Sequence, residues 1–153
     1  NSNTSPKMSN LTGVILPTKF LLIILQIILI SIIIQQKDEF IYAGISSSLS
    51  SSSSEYSTAN TFLLGISGVF LVTLLLEFLI MFTGWTMFND KPNLVQLALH
   101  SVAIAYTAMF ALNSGHYSNL DKMWVLGGFF PLIIEVGSYI SSKVHFKRIM
   151  KET

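Results

Sequence analysis

The chain has 153 residues, and its nine Lys and Arg nearly balance its eight Asp and Glu, which leaves a formal charge of +1 at pH 7. Hydrophobic residues make up 51% of it, charged residues only 11%, and the mean hydropathy is +0.61. This composition is too apolar for an ordinary soluble domain. Cysteine is absent, which excludes disulfides, S-palmitoylation and thiolate metal sites.

The chain begins with a polar segment, residues 1–16, which we expect to be a flexible head. The first apolar run, 17–35, is too long for a cleaved signal peptide and is expected to stay as a membrane anchor. Residues 36–60 predict an extracytosolic loop, because the tract from Ser46 to Ser54 is interrupted only by Leu49. Such a tract cannot bury enough apolar area to order itself, so we expect it to be mobile.

Three further apolar runs follow, at 61–83, 93–113 and 122–141. Each of the four runs approaches the ~20 residues that cross a hydrocarbon core of ~30 Å. Since unpaired backbone is excluded from lipid, residues 17–142 predict an all-α, four-helix transmembrane bundle. The spans use most of these 153 residues, so we expect no separate soluble catalytic domain among them.

The connection between the second and third spans is short, which predicts that these two helices are antiparallel neighbours. It is expected to form an interfacial turn in which Asp90 caps the third helix and Pro92 lies in the first turn of that helix. Four of its residues are assigned to the headgroup level: Trp85, Met87, Phe88 and Asn89.

Lysine and arginine are concentrated on one side of the membrane, the side that carries both termini and also Lys19. The positive-inside rule therefore predicts that both termini are cytosolic. The cytosolic tail, 143–153, is either an amphipathic helix on the anionic leaflet or a charge excess that only sets the topology. Its membrane-surface basic residues are Lys143, Lys147, Arg148 and Lys151.

Three apolar runs each contain one titratable residue: Glu77, His100 and Glu135. Counted from the cytosolic ends of the spans, these residues and Gln26 all lie roughly 10 to 12 Å deep. The count predicts one buried polar layer. In it, Glu77 and His100 are expected to form a hydrogen bond or ion pair, with Glu135 protonated or bonded to Gln26 or His100.

Small and weakly polar residues share the helix faces that carry these groups, as expected of helix contacts in membranes. The helix-packing residues that we predict are Thr73, Gly84, Gln96, Gly128, Pro131 and Ser138.

Four interpretations of the layer remain open: a structural clasp that fixes helix register, a proton or cation pathway, a metal site, or a contact with a partner helix or lipid. The sequence contains no GxSxG, HExxH, P-loop or dinucleotide-binding glycine pattern. We therefore expect no enzymatic activity, no catalytic residues, no metal and no cofactor.

The polar residues also carry a family resemblance. The chain resembles the transmembrane protein 107 family in Glu77-x6-Gly84-x-Thr86-Met87-Phe88-Asn89, Ala98-Leu99-His100-Ser101, Pro131-x3-Glu135 and the opening Gly13-x3-Pro17-x-Lys19-Phe20-Leu21. That family consists of small four-span proteins of the ciliary transition zone.

The resemblance implies a non-enzymatic membrane scaffold of the ciliary gate that supports cilium assembly. It implies as partners the lipid bilayer and the tectonic-type and B9-domain proteins of the Meckel module, with no nucleic acid. Two other functions stay open: an accessory subunit of a multi-protein membrane complex, for example a respiratory one, or an oligomeric channel or transporter that uses the Glu/His layer.

Overall fold

The computed structural model describes residues 12–45, 51, 53–86, 89–113 and 115–152, and within these ranges the chain is helical without any strand. Four helices are long and apolar enough to cross a membrane, which confirms the predicted all-α four-span architecture. The helices are α1 (Thr12–Gln35), α2 (Lys37–Gly44), α3 (Ser54–Phe82), α4 (Asp90–Leu112), α5 (Leu120–Trp124) and α6 (Phe130–Glu152).

Helix α2 lies inside the segment that we predicted as a loop, and α3 begins seven residues earlier than the predicted span. The start of α3 is fixed by Ser53, whose hydroxyl accepts a hydrogen bond from the Tyr56 N–H at 3.2 Å. Two further bonds tie α2 to α3: Tyr56 Oη donates to Asp38, and Lys37 Nζ donates to Asn60. Six of the nine residues of the serine tract, 46–50 and 52, lie outside the described residues.

The last span is assembled from four consecutive helical pieces. A 3₁₀ turn at Tyr117–Asn119 leads into α5, a π-helical segment at Val125–Phe129 follows, and α6 completes the span. Helix α6 continues without interruption to Glu152, so the basic tail is the end of the last span's helix and not a separate surface helix.

The four long helices form a square in cross-section. Helix α1 packs on α3 and α4, and α6 packs on the same two helices. Among the described residues, neither α1 and α6 nor α3 and α4 have Cα atoms within 8 Å, so each of these two pairs lies on a diagonal. The prediction that the second and third spans are neighbours is therefore wrong, because the seven-residue connection is long enough to cross the bundle.

The end of the bundle far from the termini is held by apolar packing. There Phe40 of α2 stacks on Phe110 of α4 with ring centroids 4.9 Å apart, and Ile41, Leu63 and Leu120 are fully buried around them. In each span no more than 33% of the most apolar window is buried, so the remaining hydrophobic surface is available to lipid or partner helices. The polar residues lie between this apolar end and the termini.

Candidate functional site

The most buried cation of the described chain is Lys19, which has no solvent exposure at all. Its Nζ donates to Glu135 Oε2 at 2.5 Å, to Gln96 Oε1 at 2.6 Å and to Asn93 Oδ1 at 3.5 Å. An ammonium group has three N–H donors, so every donor has an acceptor. The charge thus meets the condition for burial, which is an ion pair reinforced by hydrogen bonds.

The second oxygen of Glu135 is satisfied from the connection between α3 and α4. Thr86 Oγ1 donates to Glu135 Oε1 at 2.8 Å, and the Thr86 carbonyl accepts from Asn93 Nδ2 at 2.9 Å. Two residues earlier, Gly84 has φ of 75° and reverses the chain after α3. This turn places Thr86 inside the bundle, where it is 1% exposed.

A neighbouring contact secures the same turn against α6. Asn89, at the N-cap position of α4, donates from Nδ2 to Ser142 Oγ at 2.9 Å and to the Ser138 carbonyl at 3.4 Å. Trp85 packs edge-to-face on Phe146 of α6, with centroids 5.3 Å apart. The turn is therefore bound to α6 through both polar and aromatic contacts.

Deeper in the bundle, Gln26, His100 and Glu77 form a second group, and all three are fully buried. Gln26 Oε1 lies 2.8 Å from His100 Nδ1, and because an amide oxygen only accepts, Nδ1 carries the hydrogen. His100 Nε2 lies 3.0 Å from Glu77 Oε2, close in distance but not aligned as a hydrogen bond. Without a proton, His100 Nε2 and Glu77 Oε2 would be two acceptors that repel each other. A proton on either of these two atoms removes the repulsion.

Gln26 also compensates for a proline. In a regular helix the Gly127 carbonyl would accept the N–H of residue 131, which Pro131 lacks. Gln26 Nε2 donates to that carbonyl at 3.3 Å, within the π-helical segment. In turn, the carbonyl of Pro131 accepts from Gln96 Nε2 at 2.8 Å. The irregular backbone of the last span is thus bonded to side chains of α1 and α4.

Glycine at two positions allows this close approach. A Cβ added at Gly127 would overlap the amide of Gln26 and the Cβ of Ala103, and one at Gly128 would lie 2.7 Å from Thr73 Oγ1. Real Cβ contacts are essentially never this short. Side chains from three helices therefore fill the space beside these two glycines.

Each of the two ionisable pairs joins helices that lie diagonally opposite each other in the bundle. Lys19 and Glu135 join α1 to α6, and Glu77 and His100 join α3 to α4, so each pair spans one diagonal of the square. A contact along a diagonal passes through the bundle axis, which explains why all four side chains have no solvent exposure.

The structure places the four residues of the predicted layer in the interior but divides them between two groups. Gln26, Glu77 and His100 meet one another, whereas Glu135 is bonded to Lys19 and Thr86, and neither Gln26 nor His100 is its partner. The expected bond from Glu135 to Gln26 or His100 is therefore wrong. Lys19 sits seven residues before Gln26 on α1, which is about two helical turns nearer the terminal end.

Sequence reasoning missed Lys19, because a lysine near the start of a span was counted only as a topology signal. The third span contains the polar partners that an interior lysine needs, because Asn93 and Gln96 lie seven and four residues before His100. The depth count gave no signal for this pair, because it places Lys19 about two helical turns nearer the terminal end than Glu135. The missing signal was complementarity between helices, since a long lysine side chain can extend inward to a carboxylate on another helix.

The helix-packing residues that we predicted do not all lie between helices. Thr73, Gln96, Gly128, Pro131 and Ser138 are buried between helices. Gly84 is not on a packing face but in the turn, where its positive φ ends α3, and Asn89, not Asp90, occupies the N-cap of α4.

The membrane-surface assignments are described only in part. Lys143, Lys147 and Arg148 are exposed on α6. Met87, Phe88 and the side chain of Lys151 lie outside the described residues. Within the described part of the chain, no three His, Asp or Glu side chains come together as a metal-binding group.

Comparison with known proteins adds one finding. No curated protein and no solved structure matches the chain. A family model described as TMEM107, transmembrane protein, matches residues 15–139, which include Lys19, Glu77, His100 and Glu135. Because this match covers most of the sequence, the chain belongs to the TMEM107 family of transmembrane proteins.

Proposed function

We propose that the protein is a non-enzymatic scaffold of the ciliary transition zone, where it contributes to the ciliary gate and to cilium assembly. Support for the location comes from membership of the TMEM107 family together with the motifs by which the chain resembles transition-zone proteins. In this role the protein is a stable helical body that presents lipid-facing surfaces to other membrane proteins.

The observation that carries the scaffold role is the saturation of the Lys19–Glu135 diagonal by hydrogen bonds. Lys19 uses its three donors on Glu135, Gln96 and Asn93, which leaves no donor for a substrate or an ion. Both oxygens of Glu135 are likewise bonded to protein groups. Polar side chains whose hydrogen-bonding atoms are all paired within the bundle fix the positions and the register of its helices. This is the property that a scaffold needs.

The outer surface supplies room for partners. Large apolar side chains such as Leu79, Val102, Met109 and Ile133 are more than half exposed along α3, α4 and α6. Tectonic-type proteins are the partners proposed within the membrane, and B9-domain proteins are those proposed at its surface. Membrane helices associate through packing and scattered hydrogen bonds, so an apolar exterior is compatible with such assembly.

The test is the location of the tagged protein in ciliated cells. We expect a band at the base of the cilium, and recovery of B9-domain and tectonic-type proteins when the tagged chain is purified from these cells. The variant Lys19→Met should lower this recovery because it destabilises the bundle, whereas Lys91→Met, which changes an exposed lysine outside the groove that Trp85 and α6 form, should not. Staining of mitochondria, or of the whole plasma membrane without a band, would reject the ciliary role.

A proton pathway is the second candidate, and the observation that favours it is Glu77. Neither carboxylate oxygen of this buried residue has an aligned hydrogen-bond partner among the described residues. Titratable groups inside membranes do serve as proton relays. Vesicles that contain the purified protein and a pH-sensitive dye test this: a proton flux that Glu77→Gln abolishes would favour the relay, and equal flux with and without the protein would exclude it.

A further inference from the structure

A groove on the outside of the bundle lies between the α3–α4 connection and the last turns of α6. Its volume is about 540 Å³. It is lined by two aromatic, two aliphatic and two basic side chains: Trp85, Phe146, Ile140, Val144, Lys143 and Lys147. The buried polar side chains around Lys19 and Glu77 do not line this groove.

The lining is ordered along the helix axis. Ile140, Val144 and Lys147 follow one another at four- and three-residue spacing and therefore share one side of α6. Ile140 and Val144 are 55% and 57% exposed, so the apolar part of the groove is open. Ile140 forms one end of the α6 lining and Lys147 the other, with Lys143, Val144 and Phe146 between them, so the groove is apolar at the Ile140 end and basic at the Lys147 end.

The position of Lys143 is defined by an aromatic contact. Its Nζ lies 4.9 Å from the centre of the Tyr139 ring, which is within cation–π distance. The opposite wall is fixed because Trp85 packs on Phe146 and because Asn89 ties the turn to Ser142. The groove is therefore formed by two segments that the fold holds together.

The level of the groove relative to the membrane follows from the sequence. Its lysines come directly after the last apolar run, 122–141, and Trp85 comes directly after α3. Tryptophan and lysine at span ends are typical of the headgroup region. The apolar end of the groove thus lies at acyl-chain depth and the basic end at phosphate depth.

We infer that this groove binds one anionic phospholipid. The headgroup phosphate lies between Lys143 and Lys147, and an acyl chain runs along Ile140 and Val144 past the Trp85 ring. Four of the six lining side chains are apolar or aromatic, which suits a lipid and gives no contact to a free phosphate ion. This inference depends only on the fold and is independent of the ciliary role.

Quenching of tryptophan fluorescence by brominated lipid tests the site with the purified full chain in phosphatidylcholine vesicles. Trp85 lines the groove, while Trp124, the other tryptophan, contacts Phe129 at the opposite end of the last span. We expect brominated phosphatidylserine to quench the emission more than brominated phosphatidylcholine at the same mole fraction. The preference for the anionic lipid should fall about fivefold for each lysine removed.

The variants are Lys143→Gln and Lys147→Gln, with Lys91→Gln as the matched control, because Lys91 is exposed at the same end of the bundle and outside the groove. Circular dichroism checks that all three keep their helix content. Loss of the preference in both groove variants, with the control unchanged and added inorganic phosphate without effect, supports the lipid site. Equal quenching by both lipids, an unchanged preference in the groove variants, or an equal loss in Lys91→Gln overturns it.

Discussion

Lys19 Nζ lies 2.5 Å from Glu135 Oε2, although 116 residues separate the two and their helices lie on a diagonal of the bundle. No packing of neighbouring helices brings such residues together. The contact requires that both side chains extend inward to the bundle axis. It fixes the positions of α1 and α6 relative to each other along that axis.

Removal of the lysine should be strongly destabilising. In Lys19→Met the carboxyl group of Glu135 stays buried without its cation, and we expect the free energy of unfolding to fall by about 3–5 kcal/mol. Titration of the purified protein with a denaturing detergent, followed by circular dichroism, measures this. Lys91→Met, which changes an exposed lysine, should alter stability by no more than about 0.5 kcal/mol.

A second change should restore part of that loss. In Lys19→Met with Glu135→Gln the buried charge is gone, and the glutamine oxygen still accepts from Thr86. We expect the double variant to be more stable than Lys19→Met alone, because removing both charges of a buried pair is far less costly than removing one. Lys19→Met alone as stable as the unchanged protein would contradict the ion pair.

The contact between Glu77 and His100 should appear as coupling between the two residues. In a double-mutant cycle with Glu77→Ala and His100→Ala, we expect a coupling energy between about 0.6 and 1.7 kcal/mol, the average and the maximum found for polar side-chain pairs inside a membrane protein. The same unfolding titration provides the values. A cycle of Glu77→Ala with Lys143→Ala is the control and should be additive within about 0.5 kcal/mol; additivity in both cycles would mean that the 3.0 Å contact contributes nothing.

Gly127 should not tolerate a methyl group. Gly127→Ala places a Cβ onto the Gln26 amide and the Ala103 side chain, so we expect a loss of about 1–3 kcal/mol from overpacking. Gly137→Ala is the matched control on α6, because nothing lies within 4 Å of its added Cβ. The control should be neutral or slightly stabilising, and equal effects of the two substitutions would show that the approach at Gly127 is looser than described.

Gly84 tests the turn that places Thr86. Because its φ is 75°, Gly84→Ala should cost about 1–2 kcal/mol, whereas Gly84→Asn should cost less, since asparagine adopts this conformation more readily. Thermal unfolding in detergent micelles compares the two. A destabilisation that is greater for asparagine than for alanine would point to crowding and not to backbone conformation.

The four spans were predictable because a run of some twenty apolar residues has few alternatives in a bilayer. Counting residues also predicted the contact of Glu77 with His100, because both lie at similar distances along the chain from the short connection between the second and third spans. Their placement across a diagonal was not, because a depth along the membrane normal carries no information on which helices are neighbours.

Other features depended on tertiary contacts that no single segment displays. Helix α2 has an apolar pair, Phe40 and Ile41, whose burial becomes visible only when α4 provides Phe110. The π-helical segment is bonded to α1 through the Gly127 carbonyl, and the donor, Gln26, is distant in sequence. Lys19 was misassigned for the same reason, since its three acceptors lie on two other helices.

The burial of Lys19 also constrains the order of events during synthesis. Its acceptors lie 74, 77 and 116 residues downstream, so α1 leaves the ribosome long before any of them exists. Until then the lysine has to keep its ammonium group in the headgroup region, as long basic side chains near span ends do. The environment that stabilises this lysine in the interior is therefore complete only when α4 and α6 are both in place beside α1.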